Sequence, residues 1–187
     1  MVRTALISFA AMMMAGAANA GVEAETLIAE TATELATGQV DSGVLDDVVD
    51  TSAIARFTLG RHARDLPEAD VERFSTAFDR FLDTTFDDQA QRFSGARIDV
   101  VGSVDRTPND SIVTTRVTLP GEAPETVRWR VINRGGTWRV VDVQAFGLWL
   151  AIEQRAQIAA ILDQNGGSID DVIASLDEGD GFGKNRG

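Results

Sequence analysis

The chain has 187 residues, enough for one domain with a substantial core, and a formal net charge of −12. That acidity argues against nucleic-acid binding and against flat adsorption on anionic lipid. With no cysteine and one histidine, neither a disulfide framework nor a thiol enzyme is possible, and little is left for acid–base chemistry.

The first twenty residues, "MVRTALISFAAMMMAGAANA", carry one cation at Arg3 and an apolar run without acid, ending in Ala18-Asn19-Ala20. They read as a secretory signal peptide cleaved after Ala20. Loss of Arg3 would take the formal charge from −12 to −13. Export without cysteine points to a bacterial periplasm. Residues 21–177 then form a single domain, and the glycine-rich residues 178–187 are expected to be a disordered tail. No later stretch reaches the ~20 apolar residues of a membrane span, so the mature protein is expected to be soluble.

Helical spacing from Val22 to Thr37 predicts a first helix, closed by Gly38. A short helix fits "DSGVLDDVVD", with Asp41 or Ser42 as cap, and "TSAIARFTLGRHARDL" reads as helical turns interrupted by Gly60. Pro67 suits the first turn of the longest helix, where Glu68 and Asp70 favour the positive end of the dipole. Along it Phe74, Phe78, Phe81 and Leu82 recur at three- and four-residue steps as one apolar stripe.

After Gly95 the period changes to two. Four strands are predicted, over residues 97–105, 112–119, 125–133 and 137–143, joined by "RTPND", "PGEAP" and "RGG". Strict alternation assigns Ile98, Val100, Gly102, Val104, Val113, Thr115, Val117, Leu119, Val127, Trp129, Val131, Trp138, Val140 and Asp142 to one face. Arg97, Asp99, Ser103, Asp105, Arg116, Arg128, Arg130 and Arg139 fall on the other, where they pair across strands or stay solvated. A helix from Phe146 to Asp163 follows, ended by "QNGGS", and Ser168 caps a last short one. The resulting fold class is α+β: a four-stranded curved antiparallel sheet covered on one face by several helices.

No G-x-S-x-G elbow, phosphate loop or H-E-x-x-H motif occurs, and no metal site or cofactor is predicted. His62 sits among arginines with no partner signature, so a structural or solvent role is expected. Asp142 stands alone on the apolar sheet face. A buried lone carboxylate is costly, so it pairs with an arginine, caps the next helix, lies at a ligand's polar end or acts as a general base. The stretch "VVDVQAFGLWLAIEQR" is greasier than a core element needs. The Phe stripe, the sheet tryptophans and this stretch must share one side of the sheet, which is compatible with either a full core or an apolar cavity.

Two segments carry a family resemblance. "IARFTLGRHARDLPEADVERFSTAFDRFLDTTF" is similar to an A-R-x-x-L-G-R-x-W-R motif followed by a helix with paired Phe. "WRVVDVQAFGLWLAIEQRAQIAAILDQNGGSIDDVIASL" matches W-x-x-x-D-V, a glycine, an apolar helix start and a closing G-x-D-x-L-I-x-x-L, with Trp138, Asp142, Val143, Gly147 and Arg155 in register. Together they resemble the MlaC family, also called toluene-tolerance auxiliary proteins. Ala63, Phe86 and Ile158 depart from the family's usual residues.

The resemblance implies a periplasmic phospholipid-binding carrier of the Mla pathway of outer-membrane lipid asymmetry, with no enzymatic activity. It would be a monomer on an NTF2-like or cystatin-like cone, with an apolar cavity between sheet and helices and phospholipid as cargo rather than cofactor. Its implied partners are an outer-membrane lipoprotein–porin complex and an inner-membrane ABC lipid transporter. Face assignment then nominates Phe78, Phe81, Val113, Val117, Trp129, Val131, Trp138, Val140, Phe146, Trp149, Leu150 and Ile152 as the tail pocket. Two other classes fit the residues: a ligand-free adaptor docking through the arginine face, and a small enzyme using Asp142 as base.

Overall fold

A meander of hairpins organises the molecule. The computed structural model describes residues 20–38, 40–164 and 166–179. The predicted signal peptide up to residue 19 and the tail from residue 180 lie outside these; Glu178 and Gly179 form a turn. Strands β1 (Arg97–Thr107), β2 (Asp110–Thr118), β3 (Glu125–Arg134) and β4 (Thr137–Ala145) pair antiparallel in chain order. A fifth strand, β5 (Leu148–Trp149), adds to the edge of β4. The predicted single helix from Phe146 is therefore a hairpin first and a helix after, because Gly147 allows the chain to reverse. The fold is α+β with a curved open antiparallel sheet, as expected, but with five strands.

Two bulges inside the predicted strands break the expected alternation, and a third register shift, at Arg106, lies beyond them. Val100 pairs with Thr115 and Gly102 with Thr114, so Val101 is an extra residue in β1. Beyond it the faces swap: Ser103 now lies opposite Val113 on the inner face, and Val104 is exposed on the outer one. Ser103 Oγ meets Glu25 Oε1 of the first helix at 2.6 Å, and Asp105 also turns toward that helix. In β4, Val140 pairs with Val131 but Asp142 with Arg130, leaving Val141 as the extra residue. Asp142 thus shares the outer face with Arg130, opposite Val140. Gly102, Ser103, Val104, Asp105 and Asp142 are all on the reverse of the face that strict alternation predicts, since one inserted residue inverts every position after it.

Helix α1 (Ala20–Thr37) lies across the inner face of β1 and β2. Its approach is close: a Cβ added to Gly21 would sit 2.5 Å from Ser103 Oγ. Ala24 and Ile28 of α1 and Val48 of α2 (Gly43–Val48) close on Val113, Val131 and Val140. Trp129, Trp138, Val100 and Val143 flank this cluster half-buried.

A second apolar core is wholly helical. It joins α3 (Thr51–Leu59), α4 (Glu68–Ala90), α5 (Leu150–Gln164) and α6 (Ile169–Asp177). Pro67 stands just before α4 as its N-cap, one position earlier than predicted. Phe74, Phe78 and Phe81 of α4 stack along their own helix with ring centroids 5.7 and 6.2 Å apart. They pack with Ala55, Leu59, Ile158, Leu162, Val172 and Leu176. The Phe stripe does not share the sheet's inner face. The other three helices offer complementary apolar faces at three- and four-residue spacing, which satisfies the stripe without the sheet.

Thr115, which could have left space on the inner face, instead serves Trp129. Its Oγ1 accepts the indole N–H at 2.9 Å and donates to the Val127 carbonyl at 3.3 Å. Replacing Thr115 with Val keeps the shape and strands the indole donor in a half-buried site. Urea unfolding of Thr115→Val should show a loss of about 1–2 kcal/mol.

Candidate functional site

The two cores meet along β4, so the chemistry of that strand decides what the molecule can hold. Its outer edge is occupied at both ends. The Val140 carbonyl accepts the Asp50 amide at 2.9 Å, with Val49 bridging in parallel. Asp50 in turn caps α3 through Ala53 at 3.0 Å and binds Arg134 at 2.7 Å. At the other end β5 pairs with Gln144 and Ala145. Covering an edge in this way removes a row of unpaired backbone groups.

Asp142 ties the strand to the helices. Its Oδ1 accepts the Val143 amide at 2.8 Å and the Ala151 amide at 2.9 Å. Ala151 is in the first turn of α5, so the carboxylate satisfies one of the helix's free donors and sits at the positive end of its dipole. Asp142 is 7% exposed. Burial pushes its carboxyl above the ordinary range, and the Ala151 amide, the Val143 amide and the Arg130 guanidinium pull it back. Capping the next helix, one of the roles that sequence allowed, is the role the contacts show.

The layer between α1, α2 and the inner sheet face is apolar, with Ala24, Ile28, Val113, Val131 and Val140 all buried. The indole of Trp138 reaches the Glu23 carboxylate of α1. The polar ties of α1 to the sheet are this contact and the Glu25–Ser103 bond, with Ala24 and Ile28 as its apolar contribution to the cluster. Beneath α1, the buried Ser111 hydroxyl on β2 has no hydrogen-bond partner. In α5 the buried Gln154 Oε1 is likewise unpaired. Buried polar atoms without a protein partner are uncommon.

Among the described residues, no group of side chains could hold a metal ion. No described helix is long and apolar enough to cross a membrane.

The family model described as "MlaC protein" matches residues 25–178. The chain belongs to the MlaC family. A similar solved structure is the phospholipid-binding protein from Ralstonia solanacearum, determined in complex with a phospholipid, with a TM-score of 0.72 and 18% identity. The alignment covers 87% of this chain and 97% of that one. At that identity the likeness is one of fold. A search of curated proteins finds no match.

Within this MlaC chain the residues nominated for a tail pocket fall in three places. Val113, Trp129, Val131, Trp138 and Val140 converge in the α1–sheet layer, and Val117 is buried on the same strand face. Phe78 and Phe81 belong to the helical core. Phe146, Trp149, Leu150 and Ile152 cluster at the β4–α5 junction, where Phe146 and Ile152 are exposed and the other two half-buried. Two polar crevices lie elsewhere. One of about 360 Å³ between α4 and α6 is lined by Arg80, Phe81, Asp88 and Asp177, and one of about 270 Å³ by Asp50, Arg134 and Arg139. Residues that sequence reasoning did not single out are Ser111, Gln154, Glu23 and Glu25. Glu23 and Glu25 could have been found, since they lie on the predicted first helix two residues apart and need cationic or hydroxyl partners.

The direction of the Asp142 shift has a testable sign. A carboxyl raised in the folded state binds its proton more tightly there than in the unfolded chain. The contribution of this group to stability is then greatest at low pH and falls as pH rises from the ordinary 3.8 through the raised value. Asp83, raised by burial and then by Asp79, Asp46 and Asp87, acts in the same sense. Asp142→Asn keeps an oxygen for both amides and should flatten part of that slope with little change at pH 7. Asp142→Ala leaves both amides without an acceptor and should lower stability by about 2 kcal/mol at pH 7, read by thermal or denaturant unfolding.

Proposed function

We propose that the protein is a periplasmic phospholipid-binding carrier whose cargo's acyl chain lodges between α1 and the inner face of the sheet. The observation that carries this reading is the layer itself. It gathers Val113, Trp129, Val131, Trp138 and Val140, keeps both tryptophans half-buried, and includes the partnerless Ser111 hydroxyl. Membership of the MlaC family and the fold shared with a phospholipid-binding protein support it.

Energetics favour such a layer. Exposing a lipid tail to water costs about 0.8 kcal/mol per CH₂, so a chain of about fourteen methylenes costs roughly 11 kcal/mol. A soluble carrier offsets that cost by sheltering the tail in an apolar layer. In this reading α1 is the wall that moves: Ala24, Ile28 and two polar contacts hold it to the sheet, whereas the helical core is closed by three phenylalanines. Opening α1 would leave that second core intact. In this reading Phe78 and Phe81 form the fixed scaffold, and the β4–α5 junction lies at the margin of the chain-holding layer.

As a carrier the protein would move lipid between an outer-membrane lipoprotein–porin complex and an inner-membrane ABC transporter, and it would have no catalytic step. Asp142 serves in this scheme as the cap of α5, its Oδ1 accepting two amides.

Native mass spectrometry of protein purified from a bacterial host should show a bound phospholipid, and protein without any from every membrane source refutes the carrier. The location is tested separately by Ala24→Leu, which enlarges a fully buried α1 residue facing the sheet. Overpacking of this kind costs about 1–3 kcal/mol. Occupancy should therefore fall about tenfold while cooperative melting is retained, and unchanged occupancy would place the chain elsewhere.

A further inference from the structure

The geometry points to the β4–β5 hairpin tip as a bilayer-docking element: we propose that Phe146, Leu148 and Ile152 enter the headgroup boundary of a phospholipid membrane. Two hairpins of the sheet have two-residue loops in which both central residues have positive φ. In the β3–β4 loop these are Gly135 and Gly136, at φ 62° and 92°, the residue type that such a turn favours. In the β4–β5 loop they are Phe146 and Gly147, at φ 52° and 80°. A bulky side chain is disfavoured in that left-handed position. Packing does not offset the strain, because Phe146 is 82% exposed. Folded-state energetics thus give no account of an aromatic residue there.

Its neighbours share the anomaly. Leu148 is 57% and Ile152 54% exposed, and half-buried Trp149 lies between them in the chain. Two arginines come from the same segments of the fold. Arg128 bonds Gln144 at 3.3 Å, and Arg155, one helical turn beyond Ile152, lies 5.2 Å over the exposed Phe57 ring. Among the described residues neither arginine has a carboxylate partner. The one exposed acid in this stretch, Glu153, bonds Gln157 along α5.

Aromatic and aliphatic side chains together with arginines match the boundary of a bilayer, where rings sit at headgroup level and guanidiniums meet phosphates. Size also favours a membrane over a protein. Three side chains expose a few hundred Å² at most, less than the ~800 Å² per partner of a stable protein interface. The overall charge of −12 keeps the rest of the body off the surface, so contact is limited to the tip. This inference stands independently of where cargo is held.

Flotation of the full chain with phosphatidylcholine vesicles tests it, together with tryptophan emission on vesicle addition. The wild type should float and its emission should shift to the blue. Phe146→Asn should lose at least about tenfold in partitioning, the share expected of one buried aromatic ring. The same variant should melt no lower than the wild type, because Asn suits the positive-φ position better than Phe. Wild type that stays unbound, or Phe146→Asn that floats as well, overturns the proposal. So does a concentration-dependent dimer lost in Phe146→Asn without vesicle binding, which would make the tip a contact between copies. Wild type that carries phospholipid in native mass spectrometry but does not float overturns the tip alone and leaves the carrier standing.

Discussion

The carboxylate of Asp142 is the constraint on which the arrangement rests. It accepts amides from its own strand and from the first turn of α5, and so fixes the angle at which the chain leaves the sheet. That angle places Ile158 and Leu162 against Leu59, Phe74 and Phe78. The bulge at Val141 is what turns Asp142 toward the helical side. Without the extra residue the carboxylate would face the α1 layer, where a charge among Val113, Val131 and Val140 would be strongly unfavourable.

Division into two cores follows from this junction. An apolar interior packed as one unit resists the entry of a guest, because each displaced side chain loses dispersion contacts. Here the helical core holds its own complement of large side chains, while the α1 layer packs Ala24 and Ile28 against the sheet valines, with two polar ties. Arg130, held by both Asp110 oxygens at 3.3 and 3.0 Å, braces the outer face beside Asp142. The remaining surface pairs are mostly exposed and contribute little each.

Much of the fold was legible in the sequence for local reasons. The change of period at Gly95, the turn chemistry of Gly135-Gly136 and the Phe74–Phe78–Phe81 spacing each report a backbone preference that acts within a few residues. The convergence of Val113, Trp129, Val131, Trp138 and Val140 was legible as well, because alternation within an unbulged stretch assigns faces correctly. The motif order of the closing segment identified the MlaC family before any coordinates. The fates of Ser103, Val104 and Asp142 were not legible. A bulge adds one residue without a strong composition signal, and alternation then continues in the opposite sense.

The sequence by itself determined an acidic, cysteine-free α+β chain, a meander followed by an apolar helix, and the family. Tertiary structure alone decided which apolar surface met which. The Phe stripe could have lain on the sheet or among helices with similar burial, since the hydrophobic effect is non-directional and rewards area from either partner. The choice was made by geometry: two bulges, a capped α5 and a β4 edge already occupied left the stripe to α3, α5 and α6. In the same way "VVDVQAFGLWLAIEQR" resolved into a buried strand, a strained exposed tip and a helix, because Phe146 and Gly147 reverse the chain where helical spacing alone predicted its continuation.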